Sequence, residues 1–118
     1  MASGEPAVAA PGVRLSGLGS ARGRVTAAAR VVATLDEAAR LGRGEVLVTG
    51  QTDPGWAPLF FVAGALVMER GGLLSHGAIV AREFGIPAVL DVRDACRRVG
   101  DGSTVTVDGT EGWVEVVA

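Results

Sequence analysis

Gly71-Gly72-Leu73-Leu74-Ser75-His76-Gly77-Ala78-Ile79-Val80-Ala81-Arg82-Glu83-Phe84-Gly85-Ile86-Pro87-Ala88-Val89 is the stretch around which the rest of the chain is arranged, and it holds the only histidine. Two glycines release the chain from a strand. Ser75 is suited to cap a helix by accepting a hydrogen bond from a free backbone N–H, and Gly85 followed by Pro87 stops that helix. His76 is therefore predicted in the first turn. Free N–H groups and the positive end of the helix dipole gather there, so a group carrying about two negative charges, such as a phosphoryl, is stabilised beside the imidazole. Ile79, Val80 and Phe84 are predicted to face inward. Arg82, six residues after His76, falls about 120° around the helix from it and so lies on another face. A histidine at a helix start is also an ordinary surface or core residue, and Arg82 an ordinary solvated one.

Working outward, Ala65–Met68 reads as a buried strand that delivers the chain to Gly71 and Gly72, and Ala88–Leu90 as the strand that follows the helix. Strand, tight turn and helix place reactive groups on an exposed edge. Upstream, Val13–Val32 reads as two β segments separated by glycines, with Thr34 or Asp36 capping a short helix that runs to Leu41, and Glu45–Thr49 as a further strand. In Thr52-Asp53-Pro54-Gly55-Trp56, a capping residue precedes a proline suited to the first helical position. Asp53 is expected to be that cap, with orientation of the His76 ring as its other reading. The helix continues from Leu59 to Ala63. Downstream, Asp91 is expected to cap a helix over Val92–Val99. The alternation of Val105 and Val107 with Thr104 and Thr106, a turn at Asp108-Gly109, and Val114 with Val116 predict a closing hairpin.

Composition narrows the classes. The chain has 118 residues, enough for one domain with a real core, and 48% are hydrophobic. No apolar run approaches the roughly 20 residues of a membrane span, and no basic-then-apolar leader is visible, which points to a cytoplasmic protein with no membrane partner. Cys96 is the only cysteine, so an internal disulfide and a Cys/His metal cluster are both excluded; its expected role is core packing. The acidic residues Asp101, Asp108 and Glu111 lack calcium-loop spacing and read as turn residues, and no metal site is expected. Net charge is −2, every basic residue is an arginine, and only 4% of residues are aromatic. That is not a nucleic-acid-binding surface.

GGLLSHGAIVAREFGIPAV resembles the phosphohistidine segment of the mobile, swivelling domain of the PEP-utilising enzymes, a family that includes pyruvate phosphate dikinase, PEP synthase, enzyme I of the sugar phosphotransferase system and rifampin phosphotransferase. The Leu-Ser-His-Gly-Ala version is most similar to the rifampin phosphotransferase and phenylphosphate synthase branch. The resemblance runs from about Leu15 to Val117 and is strongest over Glu69–Asp91 and Asp101–Trp113. It is looser at the start, where Ser20-Ala21-Arg22-Gly23 replaces the family's Ser-Pro-Gly, and Leu74 replaces the threonine of dikinases and PEP synthases two residues before the histidine. It implies an α/β fold of swivelling, three-layer β/β/α type over 13–118, with 1–12 as a flexible lead-in, in a larger multidomain enzyme.

The resemblance further implies that His76 is the nucleophile that carries the phosphoryl group, supported by Gly72, Ser75, Gly77 and Arg82. No Gly-x-x-x-x-Gly-Lys-[Ser/Thr] loop, no lysine and no clear magnesium carboxylate pair occurs, so no cofactor is expected on this domain. By resemblance, ATP and magnesium, or PEP, belong to partner domains. These are an ATP-grasp nucleotide-binding domain and an acceptor-binding domain, in cis or in trans, with pyruvate or a hydroxyl compound as acceptor. Two other classes stand beside this one. A serine hydrolase wants Gly-x-Ser-x-Gly, but Leu73 occupies the first glycine position around Ser75. A non-catalytic interaction or regulatory module of the same fold would use His76 merely as a helix-start residue.

Overall fold

The computed structural model describes residues 7–118. Eight strands form one hydrogen-bonded array in the order β1-β8-β7-β3-β4-β5-β6-β2. They are β1 (Arg14–Ser16), β2 (Leu18–Ala21), β3 (Arg24–Val31), β4 (Val46–Thr49), β5 (Ala65–Met68), β6 (Ala88–Leu90), β7 (Thr104–Asp108) and β8 (Trp113–Val116). The array bends into two layers at β3. Arg24 to Ala28 pair antiparallel with β7, whereas Ala29 to Val31 pair parallel with β4. Strands β4, β5 and β6 are mutually parallel. They are connected through α1 (Ala57–Phe60) and α2 (His76–Phe84), and helical crossovers of this kind cover a sheet face.

Every residue of β4, β5 and β6 is buried, as expected for parallel strands covered on both faces. Their side chains alternate between two cores. Val46, Val48, Ala65, Val67 and Val89 join Leu15, Val105, Val107, Val114 and Val116 in a core between the two sheet layers. Leu47, Leu66, Met68, Ala88 and Leu90 join Trp56, Leu59, Phe60, Ala78 and Ala81 in a core beneath the helices. The result is the expected β/β/α architecture. The last helix, α3 (Ala95–Arg98), is not in the helical layer; Val92, Ala95 and Val99 bury into the core between the sheets. Among the described residues, no helix is long and apolar enough to cross a membrane.

Several local expectations are corrected. Val13–Val32 forms three strands rather than two, because Gly17 separates β1 from β2 and sends them to opposite ends of the array. The helix after Thr34 is a 3₁₀ helix, Leu35–Arg40, and neither Thr34 nor Asp36 caps it. Glu37 instead accepts from Ala33 N–H at 2.8 Å. The helix expected to reach Ala63 ends at Phe60. Asp91 does not cap Val92–Val99; it takes a left-handed backbone (φ 54°), and only Ala95–Arg98 is helical. Of the expected lead-in, residues 1–6 lie outside the described residues, while Ala9 N–H donates to Arg98 and Gly12 N–H to Val116.

The hairpin of β7 and β8 closes on itself through Asp108. Its carboxylate accepts from Thr110 N–H (3.0 Å), Glu111 N–H (2.8 Å) and the Arg24 guanidinium (2.9 Å). The Glu111 N–H above all, then Arg24 and the Thr110 N–H, hold this carboxyl below the ordinary carboxylate range, against the opposing effect of burial. A folded-state pKa below the unfolded one contributes stability above the ordinary value near pH 4, and that contribution is lost as pH falls through the depressed one. Asp108→Asn is therefore expected to lower the melting temperature at pH 7 and to flatten its decline between about pH 4 and pH 2. Thermal melts over that range check it; an unchanged acid limb would remove Asp108 from the account.

Cys96 is partly buried at the core between the sheets. Burial, followed by the Glu69 carboxylate, pushes its thiol up to about 12. The reactive thiolate is thus scarce at neutral pH.

Candidate functional site

The carboxyl ends of β4, β5 and β6 share one edge of the parallel sheet, where ligands of open α/β sheets gather. The loop after β4 brings Thr52 to that edge and the loop after β5 brings His76. Gly71 takes φ 114°, a backbone only glycine adopts readily, and this turns the chain off β5. Ser75 then caps α2 as expected, accepting from Ala78 N–H at 3.3 Å, and Gly85 ends the helix in the left-handed conformation (φ 71°). His76 is the first residue of α2. Its own N–H and that of Gly77 have no acceptor among the described residues. Two donors and the helix dipole thus remain for an anion.

The imidazole is half-buried. Its Nδ1 lies 3.0 Å from Thr52 Oγ1, and Phe60 presents a ring edge-to-face at 6.1 Å. Nε2 has no partner among the described residues. When Nδ1–H donates to Thr52 Oγ1, the lone pair resides on Nε2. Asp53 is not the residue that orients His76. Its carboxylate accepts from Gly55 N–H at 2.9 Å and caps the turn Pro54–Trp56. Thr52, the neighbour passed over in the sequence reading, makes the contact; its signal was a hydroxyl at the start of the loop already singled out.

Gly77 is required by close approach. A Cβ there would lie 2.6 Å from Met68 Sδ and 3.0 Å from Thr52 Oγ1. Gly77→Ala gains helix propensity of about 1 kcal/mol but overpacks a buried contact at about 1–3 kcal/mol. The expected net is a loss of up to about 2 kcal/mol, with Thr52 displaced from the ring. Imidazole ¹⁵N shifts report the second effect, and identical shifts in wild type and variant would show that Thr52 does not hold the ring. A Cβ at Gly72 would meet nothing, so this residue serves the turn rather than the contact.

The inward face of α2 consists of Gly77, Ala78 and Ala81. Ile79 and Phe84, expected inside, are exposed, and Val80 is partly so. Small residues let the helix lie close on the sheet, and the large ones are left outside. With Leu73, Leu74 (87% exposed) and Phe61 (74% exposed), Ile79 and Phe84 form an apolar rim beside His76. Phe61 and Phe84 meet in a T-shaped pair at 4.7 Å. Apolar side chains concentrated on one surface mark a contact face. Arg82 points away from His76; Nη2 donates to Leu73 O at 2.7 Å and Nη1 to Ser20 O at 3.2 Å. It ties the loop before His76 to β2.

The molecule is a three-layer β/β/α domain with a half-buried histidine at a helix start, on the carboxyl edge of its parallel sheet. Residues 41–112 match the family model described as PEP-utilising enzyme, mobile domain, and the chain belongs to that family. It is 46% identical over 108 residues to rifampicin phosphotransferase of Streptomyces sviceus, covering 92% of this chain and 12% of that enzyme. It is 44% identical over 111 residues to phosphoenolpyruvate synthase of Aeropyrum pernix, covering 93% of this chain and 14% of that one. The solution structure of Enzyme I (nEIt) superposes with a TM-score of 0.58 at 31% identity, covering 67% of this chain and 33% of that chain. The chain thus spans a small part of the length of these two curated relatives.

Proposed function

We propose that this chain is a phosphoryl carrier in which His76 accepts a phosphoryl group from a donor domain and passes it to an acceptor. The observation that carries the reading is the pairing of His76 Nδ1 with Thr52 Oγ1 at 3.0 Å, which leaves Nε2 without a partner among the described residues, at a helix start whose His76 and Gly77 N–H groups have no acceptor among them either. In the first step the Nε2 lone pair attacks phosphorus in line. The N–P bond forms as the bond from phosphorus to the donor's leaving oxygen breaks, and that oxygen leaves with the electron pair. The proton stays on Nδ1, and the Thr52 Oγ1 lone pair that accepts from it stabilises the positive charge developing on the ring. The free N–H groups of His76 and Gly77 stabilise the phosphoryl oxygens. In the second step an acceptor oxygen, having lost its proton to a base on the acceptor domain, attacks phosphorus. The N–P pair then returns to Nε2.

In this reading the nucleotide and its magnesium, or PEP, sit on an ATP-grasp or PEP-binding domain. Among the described residues no three His, Cys, Asp or Glu side chains gather where they could hold a metal ion. The apolar rim around His76 supports docking against a donor domain and then an acceptor domain, because burying it excludes water from a hydrolysable N–P bond. The acceptor is a carboxylate-bearing enolate such as that of pyruvate, or a hydroxyl compound.

The test is intact mass of the chain after incubation with ATP and magnesium beside a nucleotide-binding domain of a relative, or with PEP and its partner. One added phosphoryl, stable in base, lost in acid and mapped to His76, is the expected result. No modification from either donor would favour the interaction module.

A further inference from the structure

Ser20, Ala21 and Arg22 of the β2 region and Arg82 and Gly85 of the α2 region line a cleft of about 270 Å³. Three features of it share one chemistry. The Arg82 guanidinium is held by two neutral carbonyls, Leu73 O and Ser20 O, and no carboxylate pairs with it among the described residues. Its position is set while its charge is left uncompensated. Arg22 makes no hydrogen bond or ion pair among the described residues, so a second guanidinium is free to close on the same space. Ser20 Oγ is buried with no hydrogen-bond partner, a condition native proteins rarely leave unexplained.

We infer that this cleft is an oxyanion site that takes a phosphate group, separate from the start of α2 where His76 lies. Arg82 is about 9 Å further along the helix than His76 at 1.5 Å per residue. Planar guanidinium groups match phosphate oxygens as a point-charge ammonium does not, and the Ser20 hydroxyl supplies a third donor. The end of α2 at Gly85 brings about half a negative charge, which two full guanidinium charges outweigh. The volume is below the roughly 300–1,000 Å³ of pockets for larger ligands, so it suits one phosphate rather than a whole nucleotide. That phosphate is either free inorganic phosphate or the phosphate of a nucleotide whose base and sugar remain outside. The inference stands whether or not His76 carries a phosphoryl group.

The experiment is a titration of the 118-residue chain with inorganic phosphate at constant ionic strength, followed by amide ¹H–¹⁵N correlation spectra. Saturable shifts are expected at Ser20, Ala21, Arg22 and Gly85. Arg22→Gln, which breaks no existing contact, is expected to weaken the apparent affinity about tenfold, the loss of one charge-assisted hydrogen-bonding group. Ser20→Ala is expected to weaken it by a smaller factor. Arg82→Gln also frees the Leu73 and Ser20 carbonyls, so Arg22→Gln is the decisive variant. A parallel titration with AMP separates the sources: tighter saturation at the same amides assigns the site to a nucleotide phosphate, and equal or weaker saturation to free phosphate. Linear, chloride-like shifts, shifts centred on His76 to Ala78, or an affinity unchanged in Arg22→Gln would overturn the site.

Discussion

His76→Ala is expected to reduce phosphoryl capture to background while leaving the fold in place. The side chain is half-buried, with one hydrogen bond, to Thr52, and one edge contact, to Phe60. Alanine is a favourable residue in the first helical turn, so the stability change should be about 1 kcal/mol or less. In the proposed reading neither Ser75 nor Cys96 takes over the chemistry. Ser75 Oγ is occupied in capping α2, and the Cys96 thiol, pushed up to about 12, is protonated at neutral pH. Thermal melting checks the first half and acid-labile mass the second. An acid-labile phosphoryl on the alanine variant would place the carrier at another residue. Full unfolding of that variant would mean that the ring holds the edge together rather than reacting on it.

Gly109→Ala is expected to be the most damaging single methyl in the chain. A Cβ at this position would fall inside the van der Waals radius of the Ala21 carbonyl oxygen and within 2.8 Å of Ala88 N. Both are backbone atoms, so no rotamer change relieves the clash, and β2 would have to leave its pairing with β6. The neighbouring bonds make that movement costly: Gly109 N–H donates to Gly23 O and Gly17 N–H to Gly112 O. Overpacking of this kind costs about 3 kcal/mol or more. For a domain of this size that corresponds to a melting temperature lower by roughly 10 °C or more. Denaturant and thermal melts measure it. A loss below about 1 kcal/mol would mean that the sheet ends are free to separate.

The clash at Gly109 has a topological origin. The first and last strands of the array, β1 and β2, are joined by one residue, Gly17. The array therefore folds back until its two ends are adjacent, and β2 crosses the β7–β8 turn with glycine on both sides. Gly17 and Gly19 face the same constraint; a Cβ on Gly17 would lie 2.5 Å from Leu90 O, and one on Gly19 3.1 Å from Gly112 N.

What the amino-acid sequence determined by itself was local. Ser75 as a cap, Gly85 as a left-handed stop, Asp53 as a cap before Pro54, and the limits of β5 and β6 each depend on a few neighbouring residues and on backbone preferences that act within one turn or strand. The placement of His76 in a first turn followed from these. Tertiary structure alone decided what faces what. Thr52 and His76 are 24 positions apart in the chain, and only the parallel pairing of β4 with β5 brings their loops to one edge. The inward face of α2 went to Gly77, Ala78 and Ala81 because the distance between helix and sheet admits only small side chains there; a count of apolar residues favours Ile79 and Phe84. The separation of β1 from β2, and the meeting of Ser20, Arg22 and Arg82, likewise came from the closing of the array. Such contacts join distant residues, and no local propensity encodes them.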